Sequence, residues 1–318
     1  MNCLCCGKVI NDTATEQEKV TQWHSRCVKR FFGTKTLPDI EVSEEVLEQL
    51  AVESTNKGLT VPGVQKKMSL HLDTNGATPR LTLVNYPTGY ILKPQTKDYP
   101  CLPEAEYLVM QMAEKAKIKT VPHALIRIKA QDNSFAYITK RIDRRDGKML
   151  AMEDFCQLDG RLTEDKYKGS YERCAKIIQR YSSRPGLDVT ELFIRVVFSY
   201  IVGNSDMHLK NFSLIETDEK SGAYILSDAY DMLPVNTVNP ADTEQTALTM
   251  NGKKRNLHHN DFLKFADACP MDRTVAGKII DRLKGYKSEL IRETEQSYLT
   301  DELKESLIML IEDRINSI

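Results

Sequence analysis

The sequence predicts an α+β protein: a small mixed sheet carrying one helix, followed by a larger helical lobe. Two observations predict it. Between residues 55 and 142, five short strand-like stretches surround a single segment of helical apolar spacing, and beyond about residue 150 helical spacing takes over. The chain has 318 residues, 41% hydrophobic and 28% charged, enough to bury two cores and typical of a globular, soluble protein.

Residues 1–33 are cysteine-rich and end in WHSRCVKRFFG. TKTLPDIEVSEEVLEQL (34–50) reads as a linker running into a short helix, with Ser43 as N-cap and Glu44 and Glu45 in the first turn, where the helix dipole favours acids. A glycine-containing turn, NKGLTVPGVQKK, precedes the alternating stretch KMSLHL. RLTLV (80–84) and GYILKP (89–94) follow as strands, PEAEYLVMQMAEKAKI (103–118) as a helix, and TVPHALIRI (120–128) and SFAYITKRI (134–142) as two further strands. The remainder is helical except for a short pair at FSLI (212–215) and AYILS (223–227). The expected organisation is a cysteine-rich segment (1–33), a linker with a helix (34–54), a sheet lobe (55–148) and a helical lobe (149–318).

A net charge of −1 argues against nucleic-acid binding by bulk charge. No apolar run reaches the roughly 20 residues needed to span a membrane. The N-terminus MNCLCCGKVINDT has no apolar signal core, which predicts a cytoplasmic protein; delivery into another cell through a C-terminal feature stays open.

The chain leaves an oily stretch (LFIRVVFSYIV, 192–202) and at once presents GNSDMHLKNFS (203–213). Asp206 and Asn211 are spaced D-x4-N, which in protein kinases pairs a base for the attacking hydroxyl with a magnesium ligand. Taken alone, the spacing is better read as a turn cap. Its company changes the balance. Asp228 and Asp231 leave a strand about twenty residues on, and Asp231 is favoured as the second metal ligand. Upstream, Lys93 ends a strand and a helix with Glu104 and Glu106 follows, the arrangement that holds nucleotide phosphates in kinases. The glycine turn allows close backbone approach to phosphates, but it lacks the G-K-[ST] ending of a Walker A loop.

In this order the motifs resemble the HipA family of bacterial Ser/Thr kinases. The matching stretches are TVPGVQKK (60–67), YILKP (90–94), LPEAE (102–106), KRIDRRDGKMLAMEDFCQ (140–157), GNSDMHLKNFSL (203–214), AYDMLP (229–234) and LTMNGKKRNLHHNDFLKFA (248–266). The resemblance implies a two-lobed, PI3/4-kinase-like fold, ATP and Mg2+ as cofactors, and Asp206 as catalytic base. It implies Asn211 and Asp231 on magnesium and Lys93 on the phosphates, with Glu106 among the residues of the nucleotide site. Nucleotide contacts are implied from Thr60, Val61, Gly63, Val64, Gln65 and Lys67 in the turn, and from a hinge at Thr139, Lys140 and Ile142. His208 and Lys210 lie in the catalytic loop, with Lys210 placed to neutralise phosphate charge and His208 equally a structural residue. The chain is short for the family and in this resembles HipT, the kinase of three-part HipBST systems. That implies a HipB-like helix-turn-helix antitoxin and a HipS-like small protein as partners, and an aminoacyl-tRNA synthetase as substrate. Where the family's turn carries Ser-x-x-Gly, this chain has Thr60, Val61, Pro62 and Gly63, so Thr60 and the nearby Ser54 are the autophosphorylation candidates.

Cys3-x2-Cys6 and His24-x2-Cys27, separated by seventeen residues, form a Cys3His set of the kind zinc takes in a tetrahedron. Cys5 is an alternative to Cys3, and reduced cysteines packed against Trp23 remain the competing reading. Two non-enzymatic readings stand beside the kinase: a pseudokinase that scaffolds its partners, and a zinc-containing regulatory protein.

Overall fold

The computed structural model describes residues 1–40, 67–76, 78–83, 88–96, 98–129, 133–145 and 147–318. The helix expected after Ser43, the glycine turn, and with them Ser54, Thr60, Val61, Gly63, Val64 and Gln65 lie outside the described residues. The chain divides into two compact units, each discontinuous: Met1–Tyr107 with Val121–Arg141, and Leu108–Thr120 with Ile142–Ile318. The cysteine-rich segment belongs to the same unit as the sheet.

The first unit is built on a six-stranded sheet: β1 (Asp39–Ile40), β2 (Met68–Asp73), β3 (Arg80–Thr82), β4 (Tyr90–Lys93), β5 (His123–Ile128) and β6 (Ser134–Lys140) in the order β1-β3-β2-β4-β6-β5. Register places Met68 opposite Leu92, Leu92 opposite Ile138 and Ile138 opposite Ala124, a row of buried apolar residues across four strands. β1 pairs in parallel with β3, a contact that a two-residue strand does not announce by alternation. The cysteine-rich segment forms α1 (Glu16–Thr21) and α2 (Ser25–Phe32) and covers the outer edge of β5. Leu125 donates its N–H to Leu4 O at 2.8 Å, and the buried Trp23 donates Nε1–H to Leu125 O at 3.2 Å. Main-chain groups that an edge strand would leave open are thereby satisfied. Trp23, Phe31, Phe32 and Tyr90 form an aromatic cluster with centroid separations of 4.8–6.0 Å that binds this cover to β4.

The expected helix appears as α3 (Leu102–Lys115). It stops short of residue 118 because Lys117 turns into the left-handed region (φ 66°), and Ile118 N–H closes on Ala113 O at 2.9 Å.

In the second unit, strands β9 (Met152–Asp154), β10 (Ser213–Glu216) and β11 (Tyr224–Leu226) form a sheet in the order β11-β10-β9, beside the small hairpin of β7 (Arg144–Arg145) and β8 (Lys148–Met149). Among the helices are α4 (Phe155–Leu158), α5 (Tyr171–Tyr181) and the long α6 (Pro185–Ile201). Proline opens α6, where its missing N–H costs nothing. Buried Asp188 in the first turn of α6 accepts from Ser182 Oγ (2.6 Å), Arg184 Nε (2.9 Å) and Leu226 N–H (2.8 Å), pinning the helix to β11. α7 (Val235–Val238), α8 (His259–Ala268), α9 (Arg273–Lys284), α10 (Lys287–Glu295) and α11 (Asp301–Ser317) complete the helical part, the last four matching the helices expected in the tail from 260 to 318. Gly203 ends α6 with φ +69°, and a Cβ there would come within 2.9 Å of Leu310 of α11. The loop GNSDMHLKNFS therefore leaves a buried helix through a turn that suits glycine and enters β10.

Candidate active site

The loop between α6 and β10 is held by its own polar groups. Asp206 N–H donates to Asn204 Oδ1 at 3.3 Å, and His208 N–H to Asp206 O at 2.8 Å. Buried Asn211, at the end of a 3-10 turn (Leu209–Asn211), donates Nδ2–H to Asp206 O at 2.8 Å. That bond uses the amide nitrogen and leaves the carbonyl oxygen, the atom a hard cation takes. Asp206 is half-buried. Burial raises its carboxyl to about 7; the Tyr167 hydroxyl works against this, and the charge of Asp231 adds to it. Asp231 sits close enough to act on Asp206 and does so from a left-handed backbone, φ 58°. Asp228 is differently employed, in an ion pair with Lys119 at 2.9 Å.

His208 is buried and edge-on to the Tyr167 ring at 5.0 Å. Burial, helped by the charge of Lys166, lowers it to about 4, so the ring is neutral at pH 7. Lys210 Nζ is paired with Asp154 at 2.8 Å. Asp154 also accepts from Gln157 N–H as the cap of α4, so the pair ties the loop to a helix start.

In the first unit, Lys93 and Glu106 form an ion pair of 2.7 Å with both side chains buried. Of the two glutamates on offer, Glu106 is the partner; Glu104 instead takes Gln95 Nε2 at 2.7 and 2.8 Å. Thr139 and Lys140 close β6, with Thr139 Oγ1 and Lys140 N–H both on Pro122 O. Ile142 lies just beyond that strand, and Lys67 is exposed immediately before β2.

Cys3, Cys6, His24 and Cys27 come together: their ligand atoms all lie within 4.8 Å of one another. A tight turn makes this possible, with Gly7 N–H on Cys3 O at 2.9 Å and Gly7 at φ +67°. His24 is the N-cap residue of α2 and Cys27 lies in its first turn. Hydrogen bonds with Cys27 and Cys3 hold the Cys6 thiol far below its usual range, while hydrogen bonds with Cys27 and Cys6 push the Cys3 thiol up, so the sulfurs share their protons within the cluster. Cys5 is outside the set, its sulfur facing Arg30 at 4.0 Å. Cys156, Cys174 and Cys269 are buried and Cys101 is half-buried, as scattered packing cysteines would be.

Two residues at the loop were not legible in the sequence. Tyr167 donates its hydroxyl to Asp206 Oδ1 at 2.6 Å, and Lys166 beside it acts electrostatically on both Asp206 and His208. They stand some forty residues upstream in a polar stretch, DKYKGS, whose composition says only loop.

The HipA-like C-terminal domain matches residues 59–290. A Haemophilus influenzae protein named "Putative kinase" is 30% identical over 197 residues, covering 56% of this chain and 53% of that protein. "Putative kinase Y4dM" of Sinorhizobium fredii is 34% identical over 215 residues, covering 63% and 51%. The chain thus spans about half the length of these curated relatives. Among solved structures, HipA in the toxin–antitoxin complex with HipB and operator DNA from Shewanella oneidensis superposes with TM-score 0.65 at 18% identity, covering 82% of this chain and 67% of that one. The Helicobacter pylori proinflammatory kinase CtkA superposes with TM-score 0.54 at 16% identity, covering 79% and 93%. Both share the α+β fold, a mixed sheet followed by a largely helical region. With the domain match covering well over half of its residues, this chain belongs to the family of proteins with a HipA-like C-terminal domain.

Proposed function

We propose that this chain is an ATP-dependent serine/threonine protein kinase and the toxin of a HipBST-like toxin–antitoxin system. The observation that carries the reading is the loop at 203–213, where one hydrogen bond joins Asn211 to the Asp206 backbone and leaves a carboxylate and an amide oxygen available. The kinase names of the relatives and the buried Lys93–Glu106 pair support it. In the proposed reaction the acceptor hydroxyl attacks the γ-phosphorus while Asp206 takes its proton. Asn211 and Asp231 offer the hard oxygen donors that magnesium prefers, and the ion when bound offsets phosphate charge. Lys93, oriented by Glu106, contacts the phosphates together with the turn from Thr60 to Lys67, and Thr139, Lys140 and Ile142 meet the adenine. Lys210 steadies the loop through Asp154.

The finer assignments are part of the same proposal: a HipB-like antitoxin and a HipS-like protein as partners, an aminoacyl-tRNA synthetase as substrate, autophosphorylation at Ser54 or Thr60, and zinc on Cys3, Cys6, His24 and Cys27. The family placement and the Shewanella complex of HipA with HipB support the partner assignment. Peptide mass spectrometry after incubation with ATP and magnesium tests the reading. Phosphate is expected at Ser54 or Thr60 in the wild type and nowhere in Asp206→Asn. Its absence from every residue of the active preparation would remove the autophosphorylation step.

A further inference from the structure

The segment just before α5 is fixed against the loop that carries Asp206. Leu209 N–H donates to Lys166 O at 3.2 Å. Thr249 donates to Gly169 O through both N–H (3.3 Å) and Oγ1 (3.2 Å). A Cβ at Gly169 would meet the Leu209 side chain at 3.5 Å, so the two segments lie in van der Waals contact. Between these anchors stands Tyr167, its ring edge-on to His208 at 5.0 Å and its hydroxyl on Asp206 Oδ1 at 2.6 Å. Burial, and then the neighbouring Asp206 charge, raises the phenol well above its usual range, so Tyr167 acts at Asp206 as a donor and not as a base.

A carboxylate turns easily about its last torsion, where the energy wells are broad. A base that must meet an incoming hydroxyl gains from having one oxygen fixed, because orientation within the encounter controls the rate. Tyr167 engages Oδ1, and no bond among the described residues engages Oδ2. We infer that Tyr167 is a positioning residue for the phosphoryl transfer proposed above: it holds Asp206 by Oδ1 and leaves Oδ2 to receive the acceptor's proton. The inference rests on the kinase reading.

The test compares wild type, Tyr167→Phe and Tyr167→Leu in transfer from ATP to a serine- or threonine-containing acceptor, casein serving as the probe. Nucleotide affinity by calorimetry and the thermal melt are recorded alongside. Tyr167→Phe keeps the ring on His208 and removes only the hydroxyl. It is expected to lower kcat by about tenfold to a hundredfold while KM for ATP and nucleotide affinity stay within about twofold. Tyr167→Leu is expected to lose as much kcat as Tyr167→Phe, plus some thermal stability. Full kcat in Tyr167→Phe with loss only in Tyr167→Leu means a packing role and overturns the inference. A higher kcat in Tyr167→Phe also overturns it, since the hydroxyl would then be blocking the acceptor's place. A wild type that transfers nothing to casein or to itself, while still binding nucleotide, defeats the kinase reading and this inference with it; an active wild type beside an unaffected Tyr167→Phe defeats the inference alone.

Discussion

Asp231 holds a left-handed backbone that a side chain other than glycine adopts at a cost, and it does so beside a second carboxylate. Removing the side chain relieves both the backbone strain and the like-charge repulsion. Asp231→Gly removes the Cβ, and its stability is read by urea unfolding beside that of Asp231→Ala. Asp231→Ala keeps a Cβ at φ 58° and is expected about 1 kcal/mol below the glycine variant, with both losing phosphate transfer. Equal stability of the two variants would show that the conformation carries no strain. Asp206 supplies a second test. Its carboxyl, raised to about 7 by burial and kept up in part by Asp231, is largely protonated below that pH. A cation at Asp231 lowers the value and expels the proton, so binding is tighter as pH rises. Calorimetric titration with magnesium near pH 6.5, in two buffers of different ionisation enthalpy, should show proton release that fades well above about pH 7 and is lost in Asp206→Asn. Absence of release in the wild type would separate the cation from Asp206.

At the scale of elements, β4 and α3 are joined by a buried charge pair, and the cysteine cluster ties the N-terminal turn to the start of α2, beside the Leu4 and Trp23 contacts with β5. Taking away Lys93's carboxylate partner in Glu106→Ala is expected to cost about 3 kcal/mol in chemical denaturation, while Lys93→Met with Glu106→Leu costs less than the single change. A double variant as unstable as Glu106→Ala would mean that packing, not charge, dominates there. The chain's only tryptophan reports on the other junction. Trp23 is buried with Nε1–H on Leu125 O and precedes His24. Strong chelation, or Cys27→Ala, should shift its fluorescence to the red and lower the melting temperature, and zinc should restore the chelated protein. Fluorescence indifferent to chelator, with no zinc in metal analysis, would reduce the cluster to packed thiols. These elements were unequally legible. Alternation in KMSLHL announced β2, whose first residues alternate between buried and exposed, and apolar residues at helical spacing in 103–118 announced α3, which is buried from Leu102 to Ala113. The edge cover by Trp23 and Leu4 was not announced, since main-chain pairing with Leu125 leaves no pattern in residue types.

For the molecule as a whole, family membership rests on a match from residue 59 to 290, and motif order had already pointed there. Short polar motifs survive as sequence because chemistry fixes both residue type and spacing: Asp206 with Asn211, and Cys3 with Cys6. Tyr167 shows the opposite case. Its role depends on a fold that brings a loop back onto Asp206, and nothing in its neighbours' identities records that return. Glu106 over Glu104 was likewise settled by which side chain reaches Lys93, a matter of helix phase. The central claim, that the chain transfers phosphate and does so through Asp206, is tested most directly by labelled ATP. With magnesium present, wild type should pass the terminal phosphate to itself or to casein, and Asp206→Asn, folded and still binding nucleotide, should fall by about a hundredfold or more. Equal transfer by the two proteins, or none by a wild type that binds ATP, would contradict it.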